Sequence, residues 1–136
     1  MKLLMWYCAR FAFLPAQKAL ESADSQHGRK EYFDAAVGFI HAEADDPEKV
    51  AEVEKKLLKN LKWIAGKNNT RVIILHSFSH LSESKADPGW TREMFNRVQE
   101  RLEAAGYHVI QTPFGWFLDL DMAAPGHSLA RIFKAF

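Results

Sequence analysis

The sequence predicts a single α/β domain in which two internal helices alternate with strands. The chain has 136 residues, which suits one domain with a core of its own. Two segments carry the same set of helix signals, an Asp-Pro start and a glycine near the end. The segments around them are short apolar runs of strand length. The predicted order is β-β-α-β-α-β-β-(α), in one domain over residues 1–136.

Two strands are predicted before the first helix. Residues 3–13 are rich in apolar and aromatic side chains and are followed by Pro15, which is typical of a largely buried strand. The polar residues 17–30 indicate a loop or a short helix. Residues 33–42 predict a second strand, and Gly38 within it predicts a bulge or the close approach of another element.

The first helix has clear start and stop signals. Asp46 is placed to cap it, Pro47 takes the first helical position, and Gly66 is placed to close it. The opposite face is rich in lysine, which is typical of a solvated face, with a weak contact to an RNA backbone as the alternative. The apolar face follows helical spacing: Val50, Val53, Leu57, Leu61 and Ile64.

The second half of the chain repeats this arrangement. Residues 71–78 form an apolar run that suits a strand buried on both faces. Asp87 and Pro88 start the second helix, and Gly106 ends it. A strand over residues 107–112 is expected to follow.

The C-terminal part is predicted to hold one more strand and a short helix. Pro113 and Gly115 predict a turn, and residues 116–122 alternate as a strand does. Ser128 is placed to cap a final short helix over residues 129–136.

Composition excludes several classes of protein. The formal net charge is +1, which argues against a protein that grips long duplexes, though not against contact with one nucleic-acid end. Cys8 is the only cysteine, so an internal disulfide is impossible and a reducing cytoplasm is expected. Arg10 interrupts the apolar N-terminus, which argues against a signal peptide, and no run approaches the ~20 apolar residues of a membrane span.

Common catalytic and metal-binding patterns are absent from the sequence. It contains no glycine-rich phosphate loop, no Gly-x-Ser-x-Gly elbow and no His-Glu-x-x-His helix. His76 and His80 share a strand face, and with Cys8 or His127 they have the chemistry of metal ligands. Hydrogen-bonded histidines near a strand end are the favoured interpretation, so no metal and no cofactor are expected.

Two further features have a structural and a catalytic interpretation. Asp119 and Asp121 share one strand face, as a paired acid and base would, but this alternation is also typical of a half-exposed strand. Cys8 has the chemistry of a nucleophile, but no base lies near it in sequence and its aromatic neighbours indicate burial. The structural interpretation is favoured for both.

Five short motifs, spread over nearly the whole chain, together resemble the editing domain of archaeal threonyl-tRNA synthetases. Composition alone would not make them a site. They are Val37-Gly38-Phe39-Ile40-His41-Ala42-Glu43, His80-Leu81-Ser82, Gly106-Tyr107-His108-Val109, Thr112-Pro113-Phe114-Gly115-Trp116-Phe117 and Gly126-His127-Ser128-Leu129-Ala130.

The resemblance implies a fold, an activity and partners. The fold is that of D-aminoacyl-tRNA deacylases, and the domains of this family pair into homodimers. The implied activity is hydrolysis of the ester of serine wrongly attached to threonine tRNA, with the aminoacylated tRNA 3′ end as partner and with no membrane association. Because serine and threonine differ by one methyl group, binding separates them by only ~1–3 kcal/mol, and a second site that hydrolyses the wrong product is needed.

The resemblance also implies a set of site residues. His80 is the implied catalytic residue. In this family the 2′-hydroxyl of the terminal adenosine is thought to help activate a water, with main-chain groups supplying much of the rest. Plain packing of Phe114 and Trp116, and a turn role for Gly115, are the alternatives. The implied substrate-binding residues are Ala42, Ser77, Ser79, Pro113, Phe114, Gly115, Trp116 and Phe117.

The sequence departs from the family pattern where polar groups are expected. Phe117 and Leu118 stand in place of a tyrosine and a lysine, and Arg131 in place of a glutamate. The segment 6–9 lacks a histidine, a serine and an acid. Three hypotheses therefore stay open: an enzyme that edits in trans, a catalytically degenerate binding module, and a dimerisation or regulatory domain. The open question for the site is whether Phe117 and Leu118 fill the pocket beside His80.

Overall fold

The computed structural model describes all residues from Met1 to Phe136. Its regular elements follow the predicted order up to the last one. Short 3₁₀ turns lie at Asp46–Lys49 and Ser128–Ala130. The strands and helices are β1 (Lys2–Lys18), β2 (Lys30–His41), α1 (Val50–Lys67), β3 (Val72–Ser77), α2 (Pro88–Ala104), β4 (His108–Gln111), β5 (Trp116–Ala123) and β6 (Arg131–Ala135).

All six strands belong to one mixed sheet. The order is β4-β3-β2-β1-β5, and β6 pairs with the first part of β1. Strands β2, β3 and β4 run parallel, joined by crossovers through α1 and α2, whereas β1 is antiparallel to β2, β5 and β6. Because the carboxyl ends of parallel strands meet at one edge, the chain that follows β2, β3 and β4 collects there.

The central strands are buried on both faces. Ile73 and Leu75 of β3 pack in the larger core cluster with residues of both helices, including Leu57 and Phe95. Ile74 packs on the opposite face, in a cluster that contains no helix residue. The prediction of a strand buried on both faces is therefore confirmed. The sheet face without helices is covered by aromatic and aliphatic side chains from the strands.

Gly38 marks a close approach between α1 and the sheet. A Cβ atom at this position would lie 2.9 Å from Cδ2 of Leu61. Gly38 keeps its regular partners, Met5 on β1 and Leu75 on β3. Of the two interpretations, close approach is confirmed and a bulge is not found.

The two helices begin differently. At α2 the Asp87 carboxylate accepts a hydrogen bond from the Trp90 N–H at 3.0 Å and Pro88 is the first helical residue, as predicted. At α1 the predicted cap is wrong, because the Asp46 carboxylate instead accepts from the N–H of Glu43 at 2.8 Å. A 3₁₀ turn comes first, and the helix proper starts at Val50.

Other local predictions are also corrected by the structure. Gly66 lies inside α1, which extends to Lys67. Strand β1 continues to Lys18 because its last residues pair with β5, so the expected loop is shorter at its start. The final short helix is wrong: Arg131–Ala135 is strand β6, antiparallel to the start of β1, with Ile132 opposite Met5. Pairing with a distant strand overrides weak local helix signals there.

Candidate functional site

A cavity of about 450 Å³ lies beyond the carboxyl ends of β2 and β3. One wall is the loop between β3 and α2, and the other is the turn that leads into β5. The cavity brings together all nine residues that the sequence assigned to a site. These are Ala42, Ser77, Ser79, His80, Pro113, Phe114, Gly115, Trp116 and Phe117.

The end of β3 contributes two histidines of different character. His76 is buried, and its Nδ1 lies 2.9 Å from Oγ1 of Thr112. Burial, with a smaller contribution from His80, lowers the pKa of His76 to about 4, so this ring is neutral near pH 7. His80 is exposed at the cavity, with its ring edge-to-face against Phe78 at 4.9 Å between centroids. His80 is thus the accessible ring, while His76 forms part of the wall.

The 80–86 loop, which carries His80 and Lys85, is held in place by the end of β2. The buried His41 accepts from the N–H of Leu81 at 3.0 Å through Nδ1, and its Nε2 lies 2.7 Å from the carbonyl oxygen of Ser84. The N–H of Ala86 donates to the carbonyl of Ala42 at 3.0 Å. These bonds fix the loop relative to the sheet edge.

The opposite wall is the 113–116 turn, which depends on a glycine. Gly115 has φ +82°, and its carbonyl accepts from the N–H groups of Ala19 and Leu20 at 2.7 and 3.1 Å. A Cβ atom at Gly115 would lie 2.9 Å from the Cβ of Ala23. The indole N–H of Trp116 donates to the carbonyl of Asp24 at 2.8 Å. The 19–24 segment therefore packs directly on the turn.

Phe114 and Phe117 differ in their surroundings. The Phe114 ring packs edge-to-face against Phe95 of α2, with 6.0 Å between centroids, so packing is part of its role. Phe117 is 50% exposed. Phe117 and Leu118 both line the cavity, yet about 450 Å³ remains open beside them. The two apolar replacements therefore do not fill the pocket.

Several lining residues on the two walls have main-chain N–H groups that make no hydrogen bond within the chain. They include Ser79 and His80 on one wall and Phe114 and Gly115 on the other. The N–H groups on either side of Ser79 and His80 already have partners: that of Phe78 donates to the carbonyl of Ile40, and that of Leu81 donates to His41. Free main-chain donors beside a cavity can bind a carbonyl oxygen or the oxyanion that develops from it.

Sequence reasoning missed several cavity residues. Ala19 and Leu20 line it because β1 runs further than predicted and the chain then turns back onto Gly115. Lys85 and Thr91 line it from the 80–86 loop and from α2. A search for charged residues in the loop after the central strand would have found Lys85, but no sequence signal distinguished Ala19 or Leu20.

The other candidate groups lie outside this cavity. Cys8 is fully buried, and burial raises the pKa of its thiol to about 11, which suits a structural cysteine. Asp121 is exposed and pairs with Arg10 at 2.8 Å, as expected of a solvated strand face. No group of three or more His, Cys, Asp or Glu side chains is arranged to hold a metal ion. None of the helices has the length and apolar character needed to span a membrane.

Arg131, at the position of the family's glutamate, does not line the cavity. Its guanidinium lies over the Trp6 ring, 5.4 Å from the centroid, and donates to the carbonyl of Pro125 at 2.9 Å. The charge reversal at this position therefore falls outside the lining of the cavity.

Several known proteins that are similar in sequence to this chain are archaeal threonine–tRNA ligases. The threonine–tRNA ligase of Thermofilum pendens is 28% identical over 134 residues, which are 97% of this chain and 22% of that protein. The same enzyme of Methanopyrus kandleri is 26% identical over 97% of this chain and 21% of its own length. That of Thermococcus kodakarensis is 31% identical over 69% of this chain and 15% of its own length. The chain thus spans about a fifth of the length of the curated relatives it matches.

Structural similarity and the family match complete the comparison. A solved structure described as the c-Myc DNA unwinding element binding protein covers 100% of this chain and 99% of its own, with a TM-score of 0.66 and 12% identity. The fold is D-aminoacyl-tRNA deacylase-like, as the family resemblance implied. Residues 1–136 match the family described as the archaea-specific editing domain of threonyl-tRNA synthetase. The chain therefore belongs to the family of archaeal threonyl-tRNA synthetase editing domains.

Proposed function

We propose that this chain hydrolyses the ester bond between a mis-attached, serine-like amino acid and the 3′ end of a tRNA. The observation that carries the proposal is the open cavity. It joins an accessible histidine, His80, to free main-chain donors at Ser79, Phe114 and Gly115. The family membership supplies the substrate class, an aminoacylated tRNA. Since editing acts on newly charged tRNA, the proposed activity belongs to the cytoplasm.

The main-chain donors would stabilise charge on the reacting carbonyl. In ester hydrolysis this oxygen becomes negative in the tetrahedral transition state, and fixed N–H groups stabilise it without reorganisation. The loss of one such donor typically costs about 10²–10³ in kcat. Donors on the two walls, at Ser79 and Gly115, belong to backbone that hydrogen bonds hold in place. This part of the mechanism needs no side chain that the sequence has lost.

His80 would take a proton from the attacking water and return it to the ribose oxygen that leaves as the ester bond breaks. Its ring lies at the cavity, whereas the neighbouring His76 is neutral, buried and bonded to Thr112. Proton transfer by a positioned side chain typically contributes 10²–10⁴-fold to rate. The 2′-hydroxyl of the terminal adenosine, which the family resemblance implies as a helper, would orient the attacking water beside it.

The second candidate function is a binding module for charged or free RNA 3′ ends. Phe117 and Leu118 favour it, because both line the cavity and neither can move a proton or stabilise an anion. Two facts favour the enzyme instead. The cavity stays open beside these residues, and the position of Arg131 lies outside it.

The proposal includes a homodimer. On the sheet face without helices the aromatic side chain of Phe133, which pairs with Leu4 of β1, is 52% exposed. On β1 of the same region, the indole N–H of Trp6 is buried without a hydrogen-bond partner. Association of two copies through this face would cover both features. Analytical ultracentrifugation that finds only monomers at micromolar concentration would contradict this part.

Deacylation assays test the catalytic proposal. The protein is incubated with seryl-tRNA, threonyl-tRNA and D-aminoacyl-tRNA, and release of amino acid is followed against the spontaneous rate. We expect faster release of serine than of threonine, and a loss of about 10²–10⁴-fold in His80→Gln. His108→Gln, which removes an exposed histidine on β4 outside the cavity, is the matched control.

Two outcomes decide between the candidate functions. If no charged tRNA releases its amino acid faster than the spontaneous rate, the proposal of an enzyme is rejected. Micromolar binding of charged tRNA without release would then support the binding module.

A further inference from the structure

The cavity has one permanently charged lining residue, Lys85. It is the only Lys, Arg, Asp or Glu among the residues that line the cavity. The buried ring nearby, His76, is neutral near pH 7 because burial disfavours its charged form. Lys85 thus brings a positive charge to a cavity whose lining is otherwise apolar or uncharged.

The ammonium group of Lys85 has no partner within the protein. It makes no salt bridge and no hydrogen bond, although acidic residues flank it in sequence. The carboxylate of Asp87 is engaged elsewhere, because it accepts the N–H of Trp90 and caps α2. Glu83 is exposed and is not part of the cavity lining. The charge of Lys85 is therefore available to a ligand.

The backbone on both sides of Lys85 is fixed. On one side the carbonyl of Ser84 accepts from His41, and on the other the N–H of Ala86 donates to Ala42. A lysine on a flexible loop would lose much of its attraction for an anion to the entropy of ordering. Here the stem begins at a fixed point, so mainly side-chain freedom is lost on binding.

We propose that Lys85 binds the phosphate that links the terminal nucleoside to the rest of the RNA. This inference rests on the proposed function. In an aminoacylated 3′ end the ester, sugar and base are uncharged, and the amino group is neutral or cationic. The phosphodiester is the one anion close to the reacting ester, and an unpaired cation at the cavity attracts it.

The test compares two ligands that differ by that phosphate alone. They are adenosine and the 5′-methylphosphate of adenosine, whose single charge matches a phosphodiester. NMR titration of the full chain measures the dissociation constant of each for wild type, Lys85→Gln and Lys85→Arg. Lys59→Gln is the matched control, because Lys59 is exposed on α1 and does not line the cavity.

The expected result is a preference for the phosphorylated ligand of about fivefold in wild type, the size of a solvent-accessible ion pair. Lys85→Gln should lose this preference and keep its affinity for adenosine. Lys85→Arg and Lys59→Gln should retain both. Equal binding of the two ligands by wild type, or an unchanged preference in Lys85→Gln, would overturn the inference and leave the proposed function standing.

A kinetic measurement separates phosphate binding from a role at the ester. With seryl-tRNA, Lys85→Gln should raise KM, leave kcat unchanged and reduce the dependence of log affinity on log salt by about one unit of slope. A fall in kcat at unchanged KM would place Lys85 at the reacting atoms and overturn the assignment. If wild type binds neither adenosine ligand, the nucleoside site itself is absent and the proposed function falls with it.

Discussion

The Nε2 atom of the buried His41 lies 2.7 Å from the carbonyl oxygen of Ser84. Because Nδ1 of the same ring accepts the N–H of Leu81, the proton must be on Nε2, which donates to Ser84. One neutral ring therefore satisfies two main-chain groups of the 80–86 loop. This histidine is a positioning residue: the cavity residues His80 and Lys85 lie on the loop that it holds.

Replacement of His41 should loosen this loop. In His41→Phe the N–H of Leu81 and the carbonyl of Ser84, both half-buried, lose their partners, and each group left unsatisfied costs about 1–3 kcal/mol. We expect a loss of about 2–4 kcal/mol in the free energy of unfolding and faster amide exchange at Leu81. Chemical denaturation and hydrogen exchange measure the two effects. His108→Phe, at an exposed strand position, should leave both unchanged.

The outcome that contradicts this role is specific. If His41→Phe unfolds at the wild-type denaturant concentration and Leu81 exchanges at the wild-type rate, the two hydrogen bonds contribute nothing. His41→Gln, which can replace one of the two bonds, should give an intermediate loss.

Gly115→Ala should destabilise the wall formed by the 113–116 turn. The backbone at Gly115 has φ +82°, and the new methyl group would meet Ala23 at 2.9 Å and Leu20 at 3.3 Å. Strain of this kind costs about 1–3 kcal/mol, and the 19–24 segment must shift to relieve the contact. Thermal unfolding should show a lower Tm, and the proposed deacylation should slow.

Gly66→Ala provides a control of opposite sign. Gly66 lies inside α1, has no positive φ, and a Cβ atom there meets nothing within 4 Å. Alanine in a helix interior is more stable than glycine by about 0.5–1 kcal/mol. A higher Tm for Gly66→Ala beside a lower Tm for Gly115→Ala would show that the effect at Gly115 comes from its conformation and contacts. Equal effects at both positions would contradict this.

Local signals were enough to predict much of the fold. The Asp87-Pro88 start of α2 encodes its own cap, and the apolar run of β3 encodes burial on both faces. The family motifs also identified residues that line the cavity. These motifs fall at strand ends, which parallel pairing brings to one edge of the sheet. Such features depend on neighbouring residues or on a recurring topology, so sequence patterns report them.

What the sequence missed depends on distant contacts. Strand β6 exists because Arg131–Ala135 pairs with the start of β1, which no local pattern near the C-terminus encodes. Asp46 does not cap α1 because its carboxylate is turned to the N–H of Glu43. Leu20 reaches the cavity only because the chain after β1 bonds to Gly115. These relationships become visible only when the sheet is assembled.

The buried His76 should make stability depend on pH. Its pKa in the folded protein falls to about 4, mainly through desolvation, against about 6.5 in an unfolded chain. Between these values the unfolded state binds the proton and the folded state does not, so stability is highest above pH 6.5 and is lost as pH falls toward 4. The expected loss from this residue is about 2 kcal/mol between pH 7 and pH 5.

Urea denaturation at the two pH values tests this prediction. His76→Gln removes the titrating group and can keep a hydrogen bond to Oγ1 of Thr112, so its stability should fall less over the same range. Replacement of the exposed His27 by Gln should preserve the full wild-type loss. If wild type and His76→Gln lose equal stability, the pH dependence arises from other groups.

Ser79→Trp should block the cavity without disturbing the core. Ser79 is exposed and lines the cavity, so a large side chain there displaces ligand space and makes no overpacked contact in the interior. Binding of adenosine and the proposed deacylation should both fall at least tenfold, the change produced by about 1.4 kcal/mol. The Tm should stay at the wild-type value. Glu83→Trp adds the same ring at an exposed position that also lies between β3 and α2 but does not line the cavity, and it should keep both adenosine binding and deacylation. Full activity in Ser79→Trp would mean that the substrate binds elsewhere on the protein.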